Sequence, residues 1–161
     1  GGLMQLKAYF TKNSAATLLL FHSRTIYYPA SEQGRSNSIT ATLTLQPSDN
    51  LLADGSWIYA DFFRDSDDAK LYGYAITRLK LTYQLNQYLF FRGIAEYNEN
   101  KTQLTTDFLA SFTYIPGTAL YMGYGSVFTK VSWDGNDYVP NNRLIEMQRG
   151  LFFKMSYLWR S

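Results

Sequence analysis

The chain contains no cysteine, and that absence removes disulfide staples, zinc–thiolate centres and thiol nucleophiles together. An oxidising compartment remains permitted. A strong excess of one charge is also missing. The formal net charge is +2, too small to imply a nucleic-acid partner. No apolar run approaches the roughly 18 residues of a membrane-spanning helix; the longest are short stretches of the "TLLLF" kind. A helical span is therefore excluded and a β-barrel is not. The start "GGLMQLKAYF" has no initiating Met, no basic region and no apolar region, so the chain reads as a mature protein or an excised piece. No Pro-, Gly- or Ser-rich stretch or charge run divides it. Residues 1–161 read as a single β-barrel domain or the C-terminal portion of one.

What is present in quantity is aromatic and alternating. Tyr (14) and Phe (11) are heavily used. In "LMQLKAYFT", Met4, Leu6, Ala8 and Phe10 oppose Gln5, Lys7, Tyr9 and Thr11. In "SITATLTLQ", Ile39, Ala41, Leu43 and Leu45 oppose Thr40, Thr42 and Thr44. The same period of two runs through "AITRLKLTYQL", "LFFRGIAEY", "TDFLASFTY" and the terminal "GLFFKMSYLWRS", and period two means strands. The pattern predicts an all-β, antiparallel fold with about nine strands, near 3–11, 16–29, 37–46, 55–64, 71–85, 88–98, 104–115, 119–131 and 144–160, and no helix. Such strands are long for a soluble protein but suit the ~9–11 residues that cross a bilayer at a tilt. The connections alternate between tight ("TKNS", "QPSDN", "NQ", "IPGT") and longer or more polar ("ASEQGRSN", "DSDDAK", "NENKT", "SWDGNDYVPNN"), the asymmetry of outer-membrane barrels.

Alternation alone does not say which face points inward, because a soluble lipocalin-like barrel alternates too. Charge in mid-strand helps, since an unpaired ion in a dry core costs several kcal/mol. The expected water-filled interior set is Lys7, Arg24, Arg78, Lys80, Arg92, Glu96, Asp107 and Lys154, with Asp61 and Glu146 on the same polar face. Leu43, Leu79, Phe91, Phe112, Phe153 and Met155 are expected to meet lipid. Tyr27, Trp57, Tyr83, Tyr97, Tyr114, Tyr157 and Trp159 lie near strand ends, as aromatic girdles do.

The stretches "TRLKLTYQLNQYLFFRGIAEYN", "TDFLASFTYIPGTALYMGYGS" and "RGLFFKMSYLWR" resemble, over residues 77–160, the C-terminal barrel of a bacterial outer-membrane family of unassigned function. In that family the barrel follows an N-terminal domain similar to carbohydrate-binding family 9. The resemblance implies a Gram-negative outer-membrane, porin-like barrel of which this chain is a fragment, and no sugar-binding residue carries over. The last strand also resembles the signal read by the barrel-assembly machinery, through Gln148, Gly150, Phe153 and Met155. It departs from the common form in that Arg160 and Ser161 follow Trp159.

Motifs for chemistry are sparse. The lone His22 adjoins Ser23, so the two face opposite ways along a strand and form no base–nucleophile pair; His22 reads as a lumen-facing polar residue beside Arg24. The acid pairs Glu96 with Asp107 and Asp61 with Glu146 would ionise among Arg and Lys rather than act as acid and base. "DSDDAK" and "WDGNDYVPNN" hold oxygen ligands but no EF-hand spacing, and Asp-Gly is first a turn former. "GYGS" lacks the helix of a phosphate loop, so its glycines read as room for a bend or a close-packed side chain. The expectation is a non-enzymatic barrel, structural, anchoring or transporting, with no cofactor. Its expected partners are the lipid bilayer with lipopolysaccharide, the assembly machinery and the missing N-terminal part. The competing expectation is a soluble lipocalin-like barrel that binds an apolar ligand.

Overall fold

The computed structural model describes residues 1–115, 117–133 and 135–158. Nine strands appear where alternation placed them: β1 (Gly2–Thr11), β2 (Ser14–Tyr27), β3 (Glu32–Ser48), β4 (Leu51–Arg64), β5 (Lys70–Gln84), β6 (Leu89–Asn98), β7 (Gln103–Ile115), β8 (Thr118–Trp133) and β9 (Tyr138–Ser156). They form one antiparallel sheet in sequence order. Two expectations are corrected. A short 3-10 turn, Tyr28–Ala30, caps β2, where Pro29 presets a helical φ. The loop asymmetry also shrinks, because "QGRSN" and "YVPNN" pair as strand at the starts of β3 and β9.

Residues directly paired across strands share a face, so the register sorts every strand position. One row crosses the whole sheet through Lys7, Thr17, Thr42, Ser56, Arg78, Glu96, Thr105, Val127 and Gln148. The adjacent row, on the opposite face, runs through Leu6, Leu18, Ala41, Trp57, Thr77, Tyr97, Leu104 and Phe128. One face is thus mainly polar and the other mainly apolar, in register over the full width.

On β3, β5, β7 and β8 the burial of these faces is inverted relative to a soluble sheet, whereas β1 and most of β9 are exposed on both faces and on β6 Arg92 is exposed while Leu89 and Phe91 are half-buried. On β5 the apolar side chains Leu79, Leu81 and Tyr83 are exposed while Lys80 and Thr82 between them are half-buried. Among the described residues the buried hydrophobic side chains are Ala60, Phe62 and Ala119, so no second layer covers the apolar face. The densest packing is on the polar face near the β2–β3 turn. There Phe62 sits against Tyr27 and Tyr72 at ring distances of 5.6 and 5.8 Å, with Tyr74 stacked beyond.

The sheet does not close among the described residues: β1 pairs with β2 and β9 with β8, leaving two open edges. Nine alternating strands make β1 and β9 run in the same direction. Pairing them with each other would create a parallel ladder in an otherwise antiparallel sheet.

Candidate functional site: a two-faced sheet

The polar face carries most of the expected interior set. Lys7, Arg78, Lys80, Arg92, Glu96, Asp107 and Lys154 share it by register. They are brought together as cross-strand neighbours and not as one constellation. Lys80 and Asp54, directly opposite on β5 and β4, form an ion pair at 2.7 Å, and Thr44 donates to the same carboxylate at 3.0 Å. Arg78 and Glu96, opposite across β5 and β6, pair at 3.5 Å. The Lys154 ammonium lies 6.0 Å from the centre of the Tyr121 ring and that of Lys7 5.0 Å from Tyr9. Opposite charges facing each other across strands each contribute a fraction of a kcal/mol, enough to fix register more than stability.

Glycine makes room on this face. A side chain at Gly123 would collide with the Phe152 ring, which lies across it from the paired strand, and one at Gly125 would meet the Asp107 carboxylate. The "GYGS" glycines are therefore seats for neighbouring side chains, as their place within a strand implied.

Three charges expected on the polar face lie on the other. Arg24 pairs with Arg35 and shares the face of Leu18 and Leu20, and so does His22, expected in the lumen beside it. Asp61 has the same parity as Trp57 in β4. A bulge between Val127 and Phe128 gives β9 one extra residue, and this turns Glu146 over to accept from Ser126 at 2.6 Å and Tyr124 at 3.1 Å. Tyr27 makes the reverse move. It sits on the polar face with Phe62 and not in a girdle.

The apolar face holds Leu43, Leu79, Phe91, Phe112, Phe153 and Met155 together, with Trp57, Tyr83, Tyr97 and Tyr114 toward its borders. Tyr157 follows the end of β9 and is exposed, and Trp159, Arg160 and Ser161 lie outside the described residues. Of the assembly-signal residues, Gln148 and Gly150 take the polar face and Phe153 and Met155 the apolar one. On β5 the apolar stretch from Ala75 to Tyr83 covers eight residue steps, about 27 Å along the strand and about 20 Å once tilted, against a lipid-facing band of about 25 Å in membrane barrels. Toward the β2–β3 turn the band ends abruptly. Next above Leu20, Ile39 and Tyr59 comes a hydrogen-bonded row in which His22 meets Asn37 at 2.7 Å and Asn37 donates to Asp61 at 2.8 Å. Lys70 folds down over Gly73 and donates to the Tyr59 hydroxyl at 3.1 Å.

Hollows occur on both faces. The larger, about 760 Å³, crosses the first five strands on the apolar face between Leu6, Leu18, Leu43, Trp57 and Leu79, over the small residues Ala8, Ala16 and Gly55. The polar face has one of about 310 Å³ around Thr44, Asp54, Arg78 and Lys80. Among the described residues no cluster of three or more His, Asp or Glu is placed to hold a metal ion, and no helix is long and apolar enough to cross a membrane, which leaves strands unaddressed.

Asp54 falls outside the strand expected at 55–64, because β4 begins four residues earlier, at Leu51, and the members of the His22–Asn37–Asp61 row become neighbours only through register. No protein-family profile, curated protein or solved structure matches this chain.

Proposed function

We propose that this chain is a transmembrane segment of an outer-membrane β-barrel, with its apolar face against hydrocarbon and its polar face toward a wet interior. The observation that carries the reading is the inverted burial: large apolar side chains exposed on one face of β3, β5, β7 and β8, opposite a polar face that is the more buried of the two on those strands. Monomeric soluble proteins rarely expose contiguous apolar patches beyond a few hundred Å², and a single-layer sheet in water has no core to offset its conformational entropy. A bilayer supplies the missing apolar surroundings. The resemblance of residues 77–160 to an outer-membrane barrel family agrees with this. The role is structural, anchoring or transporting, with the bilayer, its lipopolysaccharide and the barrel-assembly machinery as partners.

The two open edges bear on how the ring is completed. A spanning barrel keeps no edge in lipid. Joining β1 to β9, or to β9 of a second copy around an axis along the membrane normal, would give parallel pairs. All-antiparallel closure therefore takes an odd number of further strands, and this sheet is part of a larger barrel.

A second reading, a lipocalin-like protein binding an apolar ligand, draws on the 760 Å³ hollow on the apolar face, which falls within the size range of ligand pockets. Solubility separates the two. The membrane reading expects the refolded chain to stay in solution only with detergent or lipid vesicles. A monodisperse protein in plain buffer would favour the ligand-binding one.

A further inference from the structure

The border where the apolar face ends near the β2–β3 turn sets two arginines against each other. Arg24 and Arg35 are directly opposite across β2 and β3, where Cβ atoms are about 4.5–5.5 Å apart and like charges repel. Arg35 is anchored from one side by Asp65 and Asp68 of the β4–β5 connection. Among the described residues Arg24 has no ion-pair partner. Arg35 also lines a hollow of about 390 Å³ with His22, Asn37, Phe63 and Asp68.

We propose that Arg24 and Arg35 grip the phosphate of a membrane-lipid headgroup, an inference that rests on the membrane reading above. Position selects the occupant. The last apolar row, Leu20 with Ile39, lies four residues below the arginine row, which is about 13 Å along the strand and about 10 Å along the membrane normal at a 40° tilt. The headgroup layer begins at the edge of the hydrocarbon and is about 5–8 Å deep. Arginine stems reach back along apolar surface toward that layer, and a guanidinium fork binds a phosphate through two parallel hydrogen bonds. Asp65 and Asp68 hold the Arg35 guanidinium through its Nε and one Nη and offset its charge, which leaves Arg24 as the uncompensated cation that draws the phosphate and the remaining N–H groups of Arg35 as its second contact.

The test refolds the full chain into vesicles of phosphatidylcholine alone or mixed with phosphatidylglycerol and measures the preference for the anionic vesicles. An arginine near such a surface contributes about fivefold to partitioning, so Arg24→Gln with Arg35→Gln should reduce the preference by about 25-fold. Insertion into neutral vesicles should stay unchanged, and Arg24→Lys should lose part of the preference, because an ammonium keeps the charge but not the two parallel hydrogen bonds of the fork. A charge-matched control on the polar face, Arg92→Gln with Lys154→Gln, should keep all of it. Equal loss in that control would overturn the site in favour of bulk charge. Competition by inorganic phosphate at low concentration would overturn the lipid assignment, and so would a wild-type chain that inserts without preferring either vesicle. Failure to insert into both would remove the membrane reading and this inference with it.

Discussion

Ser111 and Phe112 are consecutive in β7 and point to opposite faces, and the serine is 1% exposed while the phenylalanine is 40% exposed. In a sheet whose core is made by its own apolar side chains the two values would be reversed. Ser111 stands opposite Phe90 and Tyr121 on the polar face, and Phe112 opposite Leu89 and Leu120 on the apolar one. The relation repeats on β5 between Lys80 and Leu79, the latter 47% exposed. What surrounds this protein therefore matters to its stability as much as what lies within it.

The apolar face should punish charge and the polar face should not. Phe153 is the middle of Leu151, Phe153 and Met155 on β9 and is 69% exposed. Phe153→Arg is expected to cost about 2–4 kcal/mol of folding free energy in lipid vesicles. Lys154→Gln gives up only a long cation–π contact with Tyr121 and should cost less than about 1 kcal/mol. Denaturant titrations in vesicles measure both, and equal costs would contradict the assignment of the faces.

Gly123 and Phe152 form a paired glycine and aromatic ring across β8 and β9. Gly123→Val places a branched side chain where the ring lies, an overpacking expected to cost about 1–3 kcal/mol. Adding Phe152→Ala should recover part of that loss, since it vacates the contested space. Strictly additive costs in the double variant would show that the ring does not occupy the glycine seat.

The Lys80–Asp54 pair is partly exposed, with both side chains about one-third accessible. Screening by water limits its worth, so a double-mutant cycle with Lys80→Gln and Asp54→Asn should give a coupling of about 0.2–1 kcal/mol that fades as salt is added. A salt-independent coupling of several kcal/mol would mean the polar face is dry, and the proposed wet interior would fail.

Trp57 stacks on Tyr59 near the border of the apolar band. In a variant with Trp133→Phe and Trp159→Phe, its fluorescence should shift to the blue on transfer to vesicles and be quenched by brominated acyl chains. Emission unchanged from that in water would contradict its place in a girdle.

The strands were legible because their alternation is local: a residue and its second neighbour suffice to fix a face in "SITATLTLQ" or "LFFRGIAEY". β2 resisted. Leu18, Leu19 and Leu20 are consecutive, so parity there cannot be counted from the sequence, and only pairing with β3 puts Arg24 on the apolar side. Glu146 resisted for another reason, since the single extra residue of a bulge reverses every face beyond it. Loop lengths were overestimated because Gly, Asn and Pro in "QGRSN" and "YVPNN" signal turns, whereas cross-strand hydrogen bonds carry those residues into the ladder. The polar groups that meet as Lys80–Asp54 and His22–Asn37–Asp61 are far apart in sequence, and nothing short of register brings them together.

If the apolar face meets hydrocarbon and the polar face meets water, a chain without native cysteine allows the two to be told apart position by position. Single cysteines at Lys80, Arg92, Phe112 and Phe153, in protein folded into vesicles with the lumen accessible, should divide cleanly when treated with a membrane-impermeant thiol reagent, since Arg92 is exposed on the polar face. Labelling is expected at 80 and 92 and protection at 112 and 153, with protection lost in denaturant. Labelling at 112 and 153 with 80 and 92 protected would invert the two faces and give the sheet to a soluble fold.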